Sequence, residues 1–499
     1  MAEPASHEAH SLIMRMVWLV ALAAIGATLG WLAHWQVTTR LDELANQRIV
    51  QVAQGLPIHQ WPLTKPEDII AGRVFGNATT RFDESGLHIT SRGAAVELGL
   101  RLAEPLDLDR YGLIELAVQA DPAVRLQWSA YFQDSASPCR SEPQLIVDGI
   151  LRSQLSRIGW GCQVPPRPSA LSLRLVVDGP AGAAFTVRNA QILPMGIALP
   201  PVRQDVPDVT KSSEIVVAAT RLLALPHNIQ LVAAVPLGWL DAAGLARRAE
   251  LRDLVPAVVT ATVPNLHVNQ RVQSTSPNAT TLSLFGVLLL IWRWPPQPIK
   301  WRIPAQIAAA LLMPLWLSVG LRLGTPFSWI DHTFIAASLL YLALRLIERA
   351  PRWHWIGGPS AWAIPAASIV VAIALALLLH GSSEIILPDA MTGLRYVGWA
   401  GIQQLILSRL VADRLSALGW SVPWVSLFAA TAFALLHAPN QSLMVMTLIG
   451  GLLWMWNWQR HRALLPNVFA HALCGLVASA AIDPSWLWSA EIGSRFFAG

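Results

Sequence analysis

Apolar runs of about twenty residues, the length that crosses a bilayer core as helix, follow one another through the second half of this chain. They fall near 279–294, 303–322, 329–346, 361–380, 391–411, 421–439, 441–457 and 464–482. Hydrocarbon offers no partner to a backbone N–H or C=O, so such runs must be helices that satisfy their own hydrogen bonds. Another run, 12–33, opens the chain and reads as an uncleaved anchor, because no small-x-small cleavage site follows it. The expectation is about nine spans. Only 13% of the residues are charged, against roughly a quarter in soluble domains. The formal charge of +5 sits in loops between spans and does not point to nucleic acid; the partner it implies is the lipid bilayer.

Between the anchor and the helical region the patterning changes. Residues 1–36 are tail and anchor, and 37–65 a helical stalk with a linker. From 66 to 195 apolar and polar positions alternate in GLHITS, LIELAVQA, VRLQWSAYF, LSLRLVVD and FTVRNAQIL. That period of two at regular spacing predicts an all-β sandwich. It looks like a jelly-roll module of the carbohydrate-binding type, which would make polysaccharide a partner, with Trp128, Tyr131, Phe132 and Trp160 as candidate stacking residues. Residues 196–275 read as a linker, rich in Pro, Val and Asp to about 212, followed by a small strand–helix–strand α/β segment. The polytopic helical domain occupies 279–499.

Arginines and lysines mark alternate loops: Arg293, Lys300 and Arg302, then Arg345, Arg349 and Arg352, then Arg409 and Arg414, then Arg460 and Arg462. The positive-inside bias then places residues 37–275 and the C-terminus outside the cytoplasm, as expected for a multi-pass protein of a bacterial inner membrane. On that side Cys139 and Cys162 are able to form a disulfide. Cys474, inside the last run, reads as a small buried hydrophobe.

Polar side chains inside membrane helices are expensive and mark functional sites by default. Here they are Gln403, Gln404 and Arg409 in one segment, Phe433-Ala434-Leu435-Leu436-His437 in the next, and Asn467 with His471 in the last. Phe433 and His437 are four apart and share a helix face, as do Asn467 and His471. Two imidazoles and an amide from different helices are able to hold a water; a metal is conceivable and not required, since glutamine is a poor third ligand.

In this order the segments resemble the CPBP family, whose members include type II CAAX prenyl endopeptidases and bacteriocin-processing or self-immunity proteins. Their motifs are EExxxR, FxxxH and HxxxN. FALLHAP matches the second, FAHAL the start of the third, and Gly450-Gly451 the family's glycine position. The resemblance covers roughly 300–482. It implies a membrane-associated peptide or protein substrate, no cofactor, and catalytic roles for Gln404 (orienting water), Arg409 (bracing the site), His437 and His471 (water and oxyanion contacts), with Gln403, Phe433 and Asn467 as binding residues.

Two departures stand out. Aligning Arg409 with the family's arginine puts Gln404 and Leu405 at the glutamates; keeping the pair as Gln403-Gln404 puts Ser408 at the arginine. Gly475 stands at the family's asparagine, with Asn467 one turn before His471 as its substitute. An amide is scarcely basic, and general-base catalysis is worth about 10²–10⁴-fold. Two readings therefore stay open: an intramembrane endopeptidase with an altered base, for which Asp331, Glu384 or Asp389 would have to serve, and a catalytically silent relative that binds a peptide or lipid and acts in polysaccharide or protein export.

Overall fold

The structure, a computed structural model, describes residues 5–102, 105–132, 137–163, 169–195, 199–208, 211–226, 228–256, 258–262, 277–348, 352–380 and 389–497. The chain divides into two compact units. One comprises Arg40–Trp239 and Arg247–Val272; the other comprises Met1–Thr39, Leu240–Ala246 and Gln273–Gly499. Helix α1 (Ala5–Ala53) is a single helix that merges the expected anchor and stalk.

The first unit holds two antiparallel sheets. In the larger, Ala184–Leu193 lies between Gly86–Ser91 and Leu113–Ala120; in the smaller, Ser169–Asp178 lies between Val96–Leu100 and Arg125–Phe132. Alternate residues of both sheets, among them Leu87, Ile89, Leu116, Val187, Leu98, Leu173 and Leu175, are buried in one shared core. This is the outcome a period of two dictates. Trp128 and Phe132 are fully buried in that core, and Trp160 packs edge-on against Phe132 with its indole N–H on the Leu155 carbonyl. Tyr131 lies beneath the Arg174 guanidinium. The expectation that Trp128 and Phe132 stack on a sugar is therefore corrected: neither presents a face to solvent. A Cys139–Cys162 disulfide closes the strand Cys139–Arg140 onto the segment after it.

Three parallel strands, Pro201–Asp205, Gln230–Val235 and Val259–Thr262, complete this unit. Helix α2 (Ser212–Leu223) and helix α3 (Ala242–Leu254) connect them. Residues 201–205 lie in the stretch expected as linker from its Pro, Val and Asp content and instead form an edge strand. Proline is tolerated at the first residue of an edge strand, where its missing N–H costs no ladder bond. The stalk part of α1 docks on this sheet: Asp42 accepts from the Thr262 N–H at 2.9 Å and from its hydroxyl at 2.6 Å, and Ala45 and Ile49 pack on Val232, Val259 and Ala261.

The second unit is helical: α4 (Pro277–Arg293), α5 (Ile299–Ser318), α6 (Trp329–Ile347), α7 (Ser360–Leu378), α8 (Ala390–Leu405), α9 (Val422–Leu435), α10 (Gln441–His461) and α11 (Leu465–Ala481). Among the described residues three helical stretches are long and apolar enough to cross a membrane, Ile13–Ala53, Trp329–Ile347 and Ser360–Leu378; shorter apolar helices are Asn278–Arg293, Val422–Leu435 and Leu465–Ala481. The expected nine spans are thus not matched by length alone. Pro423 and Pro466 open α9 and α11, and both helices fall short of the ~20 residues a bilayer core requires. The anchor part of α1 belongs to this bundle: Leu29 and Ala33 pack on Ala430, Ala434 and Ala438.

The disulfide bridges residues 23 apart in sequence. Closing a loop of that size is worth about 3 kcal/mol, mostly by restricting the unfolded chain. Replacing both cysteines by serine should therefore speed hydrogen exchange across Arg125–Phe132; unchanged exchange would show that the bridge contributes nothing.

Candidate active site

Helix α8 does not stop at Leu405. It continues through a π segment, Ile406–Ala412, into a last α turn, Asp413–Ala417. A π turn closes i→i+5 hydrogen bonds and so holds one residue more than an α turn. Gln403 and Gln404 are the last polar residues before it, and both are buried.

Helix α9 ends at Leu435, and a turn through Pro439 leads to Asn440, whose side chain caps α10 by accepting from the Leu443 N–H at 3.2 Å. His437 sits in this turn. Its Nδ1 lies 2.9 Å from the Phe433 carbonyl, which places the ring proton on Nδ1 and leaves Nε2 a lone pair. The carboxy-terminal segment braces the turn, with the Gly493 N–H on the Ala438 carbonyl at 2.9 Å and the Asn440 amide on the Ser489 carbonyl at 2.6 Å. On α11, Nδ1 of His471 lies 3.5 Å from Nε2 of Gln404.

Phe433 joins the two imidazoles. Its ring stands edge-on to each, 4.9 Å from His437 and 4.9 Å from His471, while the imidazoles are 6.4 Å apart. Helix α10 comes close enough to support this stack because residue 451 is glycine: a Cβ there would lie 3.0 Å from the Ala430 backbone and 3.2 Å from the Phe433 ring. Trp454 of α10 covers His471 at 5.4 Å and donates to Ser368 at 3.1 Å.

These groups border a cavity of about 970 Å³ formed by α7, α8, α10, α11 and the carboxy-terminal segment. Its wall is mostly aliphatic and aromatic. Gln403, His437, His471 and Tyr396 supply polar groups, and Thr392, Arg395, Glu491 and Arg495 add others. Pockets of this size and character take largely apolar ligands whose orientation a few polar groups fix.

Gln403, His437 and His471 thus converge on one cavity from three segments. Gln404 does not reach its wall; it is fully buried behind His471, and its Oε1 has no partner among the described residues. Phe433 is fully buried and acts on the site through the imidazoles. Asn467 points the other way: its oxygen accepts from Asn457 at 3.0 Å and its amide donates to the Trp454 carbonyl at 2.8 Å, so it ties α10 to α11 and is not available as a substitute asparagine.

Arg409 also turns from the cavity. It pairs with Asp413 at 3.4 Å and lies over the Trp353 ring, while Asp413 accepts from the Trp458 indole at 2.8 Å and from Arg462. The carboxylate was overlooked in the sequence because Asp413 falls in a loop by hydropathy, whereas the π segment extends the helix and buries it. The expected rescuing carboxylates lie elsewhere too. Asp331 is held by Ser328, Thr281 and Arg322, and Asp389 caps α8. Glu384 lies outside the described residues. No group of three or more His, Cys, Asp or Glu placed to hold a metal occurs among the described residues.

Removing the Asp413 carboxylate would leave the buried Arg409 without this partner, a change that typically costs about 3–5 kcal/mol. Asp413→Ala should therefore lower the thermal unfolding temperature in detergent micelles, and an unchanged temperature would show the cluster to be energetically neutral.

A comparison with curated proteins gave no match. Residues 396–477, a stretch that carries Tyr396, Gln403, His437 and His471, match the family model described as type II CAAX prenyl endopeptidase Rce1-like, and in this stretch the chain is similar to the CPBP-type intramembrane proteases.

Proposed function

We propose that the helical unit is an endopeptidase-type site for a membrane-associated peptide, in which the Gln403 amide stands where a carboxylate base would act. The observation that carries this reading is the convergence of Gln403, His437 and His471 on one mostly apolar cavity. The π segment supports the assignment of Gln403. EExxxR has three residues between the second glutamate and the arginine, and here four separate Gln404 from Arg409. One extra residue is what a π turn absorbs, so Gln403, Gln404 and Arg409 fit the three motif positions together. Gln403, and not Gln404 as an unbroken helix suggests, then takes the place of the first glutamate.

Hydrolysis adds water across the peptide C–N bond: the water oxygen bonds the carbonyl carbon, one proton passes to a base, and the leaving nitrogen gains a proton. The Gln403 amide can orient that water and cannot take its proton. The Nε2 lone pair of His437 is the acceptor at hand. Turnover is accordingly slow, by about the 10²–10⁴-fold that a well-placed base contributes. The same amides support a second reading, a site that binds the peptide without cleaving it. For the β-rich unit, the Cys139–Cys162 bridge supports placement in an oxidising, extracytoplasmic compartment.

The test uses the full chain in nanodiscs with a fluorogenic peptide that carries a farnesylated cysteine and a CAAX-type end. Gln403→Glu should raise kcat about 10²-fold or more, and His437→Ala should abolish turnover in either background. A larger gain from Gln404→Glu than from Gln403→Glu would overturn the assignment. Peptide binding without turnover in all variants would establish the second reading.

A further inference from the structure

Gly475 follows His471 by one turn on α11, so the two share a face. A Cβ at 475 would lie 2.1 Å from the phenolic oxygen of Tyr396 and 2.9 Å from its Cζ. The Tyr396 hydroxyl therefore occupies the space that a side chain at 475 would enter, and only glycine leaves that space open. Tyr396 lies on α8 seven residues before Gln403, two turns along the same face, and both residues line the cavity. Its ring meets the His471 imidazole edge-on at 6.2 Å.

The chemistry of this placement is specific. A phenol is a donor as well as an acceptor, so a hydroxyl that opens on a cavity offers a ligand either role. The half-buried Tyr396 lines the cavity, and its hydroxyl forms no hydrogen bond with another described residue. Of the other polar groups on α8 and α11 at this depth, Gln404 and His471 are turned toward each other, and Asn467 is bound to α10. A phenylalanine would fill the same volume equally well, so packing does not account for the oxygen.

We infer that Tyr396 Oη is the hydrogen-bond donor to the carbonyl oxygen of a bound peptide, beside Gln403 and the two imidazoles, in room kept free by Gly475. This rests on the peptide-site reading above. A donor aimed at an oxygen that gains negative charge during hydrolysis acts mainly on the transition state, and removing one such donor typically lowers kcat by about 10²–10³-fold.

The experiment again uses the full chain in nanodiscs and the farnesylated fluorogenic peptide, with binding read by anisotropy and turnover by fluorescence. Tyr396→Phe should lower kcat about 10²-fold with KM changed by less than about threefold and with an unchanged unfolding temperature. Gly475→Ala, which forces the hydroxyl aside, should reproduce that loss, and the double variant should lose no more than the larger single one, because both remove the same hydrogen bond. Tyr396→Ala with Gly475→Asn should recover at least tenfold over Tyr396→Ala alone, by supplying an amide donor from the opposite helix. Wild-type kcat and affinity in Tyr396→Phe would overturn the inference while leaving the peptide-site reading intact. A wild-type chain that neither binds nor cleaves the peptide would overturn both.

Discussion

An apolar helix that carries an amide, an imidazole or a charge can bury it at low cost only against another helix that offers a partner. That constraint holds the helical unit together. Gln404 meets His471 and links α8 to α11. Asn457 meets Asn467 and links α10 to α11. Asp413 gathers Arg409, Trp458 and Arg462 and links the end of the α8 run to α10. Gln404, Asn457, Asn467 and His471 stand in segments that hydropathy alone would send to lipid, whereas Asp413 and Arg462 lie in the connecting stretches. Their pairing fixes which faces turn inward, and Gln403, His437 and Tyr396 are carried to the cavity as a result.

Glycine and phenylalanine do the finer positioning. Gly451 lets α9 and α10 approach until a single added carbon would collide, and Phe433 uses that closeness to stand between the imidazoles. The rings are held by edges and faces, while their nitrogens remain free for the Phe433 carbonyl, Gln404 and the cavity. Packing therefore sets orientation, and hydrogen bonding sets the tautomer of His437.

Much of this was legible in the sequence. Period-two alternation located the strands Gly86–Ser91, Leu113–Ala120, Arg125–Phe132 and Ala184–Leu193, because a sheet with one buried face writes that pattern directly. The i, i+4 spacing put Phe433 beside His437. What was not legible has physical causes. A π turn leaves no mark in composition, so the sequence pointed to Gln404 as the residue that orients water, whereas Gln403 is the one that lines the cavity. Asn467 shares a helix face with His471, yet spacing cannot report that Asn457 on another helix claims it. Tyr396 lies 79 residues from Gly475, and only the packing of α8 on α11 reveals that one fills the space the other vacates. The strand Pro201–Asp205 was hidden by its proline, since local propensity does not announce an edge that a neighbouring strand completes.

The amides and the arginine are best understood together. A carboxylate buried at 403 or 404 would need a cation or several donors to offset its lost hydration. Arg409, which the motif would offer, is engaged by Asp413 instead. Arg395, the cation on α8 that lines the cavity, precedes Gln403 by eight residues, about 12 Å along a helix. With glutamine at both positions the inner end of the cavity is neutral and can be desolvated without an unpaired charge. The consequence is chemical as well as structural: a neutral amide tolerates burial beside an apolar ligand, and under the proposed function that same amide is a poor acceptor for a proton. Under the proposed function, ease of burial and proton-accepting strength oppose each other at residue 403, and glutamine favours burial.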